Sequence, residues 1–157
     1  ATAERRRLHS QIRGAERAMS DATLARNELA DLLTQVAPVR TGLAALETTS
    51  ATLPIIAFWS IGEPQPIDRS GFASTHTRSM TLEYKTDATA DYEADLNTAL
   101  RAIRARLNPP LGESPLPSVV DLRETGVRFF HPAISEQGVS RIAVLQMTLE
   151  LDYLERY

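Results

Sequence analysis

The stretch Leu145-Gln146-Met147-Thr148-Leu149-Glu150-Leu151-Asp152-Tyr153 alternates apolar and polar residues without a break. Successive side chains of a strand point to opposite faces, so this period of two predicts a long, half-exposed strand that turns Leu145, Met147, Leu149, Leu151 and Tyr153 to a core. Arg78 to Lys85 follows the same rule, with Met80, Leu82 and Tyr84 on one face and Ser79, Thr81, Glu83 and Lys85 on the other. The run Leu53-Pro54-Ile55-Ile56-Ala57-Phe58-Trp59 is instead continuously apolar. Its β-branched and aromatic content predicts a strand buried on both faces, with Pro54 at the start or on an edge. Val119 to Leu122 predicts a short strand, and Gly126 to Phe130 a second piece with Phe129 and Phe130 on opposite faces.

Between these stretches the period changes. Leu29, Leu32, Leu33 and Val36 form a helical stripe that Ser20 or Asp21 can cap and Pro38 stops, which predicts a helix over 21–37. Tyr92, Leu96, Ala99, Leu100, Ile103 and Leu107 form another, with Thr89 as the expected N-cap and Asn108-Pro109-Pro110 as the stop. Asp91, Glu93 and Asp95 open that helix and Arg101, Arg104 and Arg106 close it, as the helix dipole favours. Leu8, Ile12, Ala15 and Met19 mark an Arg-rich N-terminal helix weakened by Gly14. Residues 38–52 predict a loop or irregular turn, 62–77 a long loop joining two strands, and the four prolines of 109–118 a meandering connection.

The expected fold class is therefore α+β: a mainly antiparallel sheet of about four or more strands with helices packed on one face, preceded by the Arg-rich helix. Residues 1–20 form an N-terminal helical extension and 21–157 a single domain. At 157 residues the chain is long enough for one core. It has no Cys, so disulfides, Cys-based zinc sites and thiol nucleophiles are excluded. Of its 17 basic residues only Lys85 is a lysine. The net charge of −3 is divided unevenly: Arg5, Arg6, Arg7, Arg13 and Arg17 against Glu4 and Glu16 make residues 1–20 basic, and the remainder is acidic. A nucleic-acid partner would have to rest on that N-terminal segment. No apolar run approaches a membrane span, and Leu8-His9-Ser10 after the arginines is unlike a signal-peptide core.

Motifs for nucleotide, hydrolase, zinc-protease or calcium chemistry are absent from the sequence. His9, His76 and His131 lie far apart, without the spacing of a metal pair. His76 is expected in a solvated polar loop, and His131 at a strand end with its ring on its neighbours. Glu150, Asp152 and Glu155 are expected on a solvated strand face, although paired carboxylates can serve acid–base chemistry. No catalytic, cofactor-binding or metal-binding residue is assigned, and no cofactor is expected. Arg5-Arg6-Arg7 remains as an anion grip, able to form bidentate bonds to phosphates or an acidic partner.

The helix at 21–37, the meander into Leu53–Trp59 and the strand Arg78–Tyr84 are followed by the Asp91–Leu107 helix, Gly126-Val127-Arg128-Phe129-Phe130-His131-Pro132 and the closing Ile142–Tyr157 strand. In that order they resemble the bacteriophage tail terminator family, the lambda-type minor tail proteins that cap the tail tube. The resemblance covers residues 21–157. It implies a non-catalytic virion protein, assembled in the host bacterial cytoplasm, that forms a homohexameric ring on the last tube ring, stops tube polymerisation and offers a head-attachment surface. The implied partners are further copies of the chain, the tail tube protein and a head–tail joining or neck protein. Genomic DNA would pass through the lumen without specific binding, and no membrane is involved. A domain of this length has a radius of gyration of about 15 Å, so six touching subunits leave a hole about as wide as one subunit, ~39 Å. The partner-contact candidates are Arg5, Arg6, Arg7, Arg69, Phe72, Phe129 and Phe130, with 62–77 and 108–118 as docking loops. The alternative is a small α+β nucleic-acid-binding or regulatory module that grips through the Arg-rich helix.

Overall fold

The computed structural model describes residues 21–46, 53–70, 73–108, 116–132, 134–135, 138–139 and 141–156. The Arg-rich helix expected over 1–20 and most of the Pro-rich connection lie outside the described residues. Helix α1 (Asp21–Leu33) buries Ala25, Leu29 and Leu33, one residue per turn along a single ridge. It ends a turn earlier than expected. Thr34, Gln35 and Val36 donate back to Asp31, Leu32 and Leu33, the tight i to i+3 bonds of a closing turn before Pro38.

Residues 38–52, expected as a loop, contain strand β1 (Val39–Thr41) and the short helix α2 (Leu43–Leu46). Strand β1 pairs in parallel with Ile56, Ala57 and Phe58, and Ile56 N donates to Pro38 O at 2.8 Å. Three residues are too few to display a period. Pairing with a distant strand fixes their conformation.

The larger correction concerns 62–77. Strands β2 (Ile55–Ser70) and β3 (Ala73–Asp87) form one long antiparallel hairpin, where the sequence predicts two short strands and a long loop. At 16 residues β2 spans roughly 50 Å. Gly62, Pro64 and Pro66 are tolerated because β1 reaches only Phe58, so β2 beyond it borders the sheet, where a missing N–H breaks no ladder bond. Register shifts between Ile61 and Gln65 and between Pro66 and Asp68 absorb the irregular residues. Gly62 takes φ +64 in the first of them, a conformation a side chain would strain.

Helix α3 (Tyr92–Leu107) matches its predicted extent, and buries Leu96, Ala99 and Ile103. Its cap is Asp91, whose carboxylate accepts from Ala94 N at 3.4 Å. Thr89 lies further out and donates to Asp95 Oδ2 at 2.8 Å. Strand β4 (Val119–Phe130) is one strand and not two, because bulges at Val119/Asp121 and Glu124/Gly126 keep it on its partner. At the second bulge a Cβ on Gly126 would stand 2.9 Å from Thr148 Oγ1, a closeness only glycine allows. A small ladder of β5 (Ile134–Ser135) and β6 (Gly138–Val139) precedes β7 (Ile142–Arg156).

The fold is α+β, with a mixed five-stranded sheet in the order β1-β2-β3-β7-β4, in which only β1 and β2 run parallel. Strand β7 lies between β3 and β4, and its burial alternates as its sequence predicts: Ala143, Leu145, Met147, Leu149, Leu151 and Tyr153 are buried. These residues join Ile56, Phe58, Met80 and Leu82 and the buried ridges of α1 and α3 in one core. Each large apolar side chain there contributes about 1.5–3 kcal/mol by leaving water. Polar ties fix the layers: Glu28 of α1 accepts from Ser118 N and Oγ at 2.8 and 2.6 Å, and Asp21 accepts from Arg156 N at 2.7 Å. Among the described residues no helix is long and apolar enough to cross a membrane.

Candidate interaction surface

The register sends the other half of each strand to the face opposite α1 and α3. Gln146, Thr148, Glu150 and Asp152 of β7 share that face with Thr77, Thr81, Glu83 and Lys85 of β3 and with Asp121, Arg123, Arg128 and Phe130 of β4. Asp121 and Asp152 stand directly opposite each other, an arrangement that repels unless a cation bridges it. Arg123, two residues along the same face of β4, supplies the bridge. Its Nη1 donates to Asp152 Oδ2 at 2.6 Å and Asp121 Oδ2 at 2.7 Å, and its Nη2 to Asp152 Oδ1 at 3.0 Å and Glu150 Oε2 at 3.2 Å. Thr77 Oγ1 adds a bond to Asp152 Oδ1 from β3 at 2.5 Å.

Asp152 is thus buried, at 8% exposure, and not solvated as expected from its alternation. A buried carboxylate needs such partners. Arg123 donates to it bidentately, which holds its carboxyl below the ordinary carboxylate range against the opposing effect of burial, and the Thr77 bond helps. The same bonds, to Asp152 first and then Asp121 and Glu150, push the Arg123 guanidinium further up. The sequence does not mark Arg123 as a bridge, because two of its three carboxylate partners, Glu150 and Asp152, come from β7.

A second ion pair, this one between layers, links Arg104 of α3 to Glu124 of β4, Nε to Oε2 at 3.0 Å and Nη2 to Oε1 at 2.6 Å. Both ion systems consume their own donors and acceptors, so chemically they act as struts holding β4 in place. Among the described residues no three His, Asp or Glu side chains are gathered to hold a metal.

The partner-contact candidates separate. Phe129 packs against the core from the helix side, whereas Phe130 is 40% exposed on the opposite face with the Arg128 guanidinium 5.2 Å from its ring centre. Arg69 lies on β2 opposite Ser74 of β3, near the hairpin's turn. Arg5, Arg6, Arg7 and Phe72 lie outside the described residues. Compared with family models and with curated proteins, the sequence matches none.

The histidines divide in the same way. His76 belongs to β3 and not to a solvated loop: it is half-buried and stacks on Tyr153 at 5.8 Å, with Nδ1 3.2 Å from Ser74 Oγ. His131, just past β4, packs edge-on against Tyr92 at 5.7 Å, and its Nδ1 lies 2.6 Å from the Tyr92 hydroxyl. That agrees with the expectation of a strand-end ring packed on its neighbours. Exposed apolar side chains that sequence reasoning did not single out include Leu43 and Leu46 on α2, Ile61 and Ile67 on β2, Val120 on β4 and Ile142 at the start of β7. Ile61 and Ile67 lie on the part of β2 beyond the reach of β1, and Val120 on the edge strand β4.

Proposed function

We propose that this chain is a non-catalytic structural virion protein of the tail-terminator type, one that caps a phage tail tube as a homohexameric ring, stops tube polymerisation and presents a surface to the head. The observation that carries this proposal is the division of the sheet. One face is sealed by α1 and α3, while the other, braced by Arg123, bears the exposed Phe130 and is bordered by strands with exposed Ile61, Ile67 and Val120. Rigid strands ending in exposed apolar residues suit contact with other protein surfaces.

In this arrangement the border strands meet neighbouring subunits, and the long β2–β3 hairpin reaches toward the tube or the neck protein. The prolines of β2 blunt simple strand addition there, so its contacts are made through side chains. On the face opposite α1 and α3, among the described residues of β3, β7 and β4, Glu83, Asp121, Glu150 and Asp152 outnumber Lys85, Arg123 and Arg128, and Arg123 is already engaged. DNA passing such a face finds few free cations to bind.

The test is light scattering of the purified chain, alone and with cognate tail tubes, followed by negative-stain imaging. Rings in solution or at tube ends are expected. A chain that stays monomeric and leaves tube ends bare would refute the proposal. Salt-sensitive DNA binding that disappears when Arg5, Arg6 and Arg7 become Ala would favour the nucleic-acid-binding module instead.

A further inference from the structure

Of the described arginines that form no ion pair, two face the same cleft. Arg26 of α1 and Arg78 of β3 line it, with Thr23, Ser60, Met80 and Leu151 among its other walls. Arg26 Nε and Nη2 donate only to the neutral side chain of Asn27, at 3.3 and 3.1 Å. Arg78 Nη2 donates to the Gly62 carbonyl at 3.3 Å, and its Nε, shut off from solvent, meets no acceptor. Neither arginine forms an ion pair among the described residues, and no carboxylate among them lines the cleft.

A buried guanidinium proton without an acceptor is rare in folded proteins, and an unoccupied ion site is one of its ordinary explanations. Arg78 is held in place by the bulge of β2, where the positive φ of Gly62 turns its carbonyl toward the guanidinium. Arg26 approaches from the helix layer above. Two cations fixed on different walls of one cleft repel each other unless an anion lies between them.

The geometry points to a phosphate-binding site between α1 and the β2 bulge, with Arg26 and Arg78 as its cationic walls and the Ser60 hydroxyl as a further donor. A phosphate suits the cleft better than a carboxylate does. Its charge approaches −2 at neutral pH, which balances two guanidiniums, and its tetrahedral oxygens can be met from two directions at once. The cleft volume of about 190 Å³ accommodates one such group with a short attached chain and is too small for a nucleotide-sized ligand. Inorganic phosphate and a phosphate monoester share this chemistry. The site is independent of the proposed tail role.

The experiment is titration of the full chain with inorganic phosphate and, separately, with glycerol 3-phosphate, at ionic strength held constant with sodium chloride. Thermal unfolding and isothermal calorimetry are the readouts. A saturable rise in Tm is expected with at least one of the two, because a ligand that binds only the folded state stabilises it. The tighter ligand tells whether the natural occupant is free phosphate or an ester. Arg26→Gln and Arg78→Gln should each weaken Kd about tenfold or more, as loss of one charged contact predicts. Arg78→Lys should retain part of the affinity, and Arg101→Gln, on the far side of α3, should retain all of it. Should Arg78→Gln fail to fold, Arg26→Gln on the helix surface decides. No saturable rise with either ligand, or an equal rise in wild type and Arg26→Gln, would overturn the assignment.

Discussion

The two faces of the same strands follow different rules. On the face under α1 and α3, Leu82 is flanked by Phe58 and Met147, and all three are fully buried. On the opposite face, two residues along β7 from Glu150, Asp152 is buried only because Arg123 and Thr77 satisfy it. The covered face stabilises by area, and so tolerates no loss of volume. The opposite face is held by directed bonds that fix the positions of β3, β7 and β4, and it leaves Phe130 partly exposed.

Breaking the covered face should have the largest effect. Leu82→Ala leaves a cavity where three strands and two helices meet, and should lower unfolding free energy by about 2–5 kcal/mol in urea titrations. Asp152→Ala on the other face should cost less, about 1–3 kcal/mol, by leaving Thr77 and the Arg123 fork without their shared acceptor. A loss as large as that of Leu82→Ala would mean that the network is a second core and not a brace.

The same carboxylate gives a pH signature. Its folded pKa lies below its ordinary value of 3.8, so its stabilisation is fully present above that value and is lost as pH falls through the lower folded value. Wild type should therefore lose stability more steeply below pH 3.8 than Asp152→Asn does, in unfolding curves recorded at stepped pH. Parallel curves would remove Asp152 from the acid response. The smallest effect on stability belongs to Phe130→Ser, within about 0.5 kcal/mol as for other surface changes, yet this variant should impair ring formation or tube binding.

How much of this was legible in the sequence depended on the range of the interactions. Strand β7, strand β3 from Arg78 onward and helix α3 were legible because their burial follows a local period, and the opposite facing of Phe129 and Phe130 came from the same rule. The distal hairpin was not legible. Its glycine and prolines are turn-formers locally, and only its place on the sheet's border makes them acceptable in a strand. Strand β1 exists through a parallel partner seventeen residues away, and the bulges that join the two halves of β4 are a response to β7. Charged neighbours were hidden for the same reason: register pairs Arg123 with Asp152, layer packing sets Arg26 and Arg78 on one cleft, and none of these residues lies in a motif.

Tube-end capping tests the central claim most directly. Cognate tail tubes should be polymerised with increasing amounts of this chain, and their lengths and ends measured by electron microscopy. Shortened tubes bearing a ring of this chain at one end are expected, with Phe130→Ser unable to shorten them although it is folded. Tubes of unchanged length with bare ends, at concentrations where the wild-type chain is folded, would contradict the account.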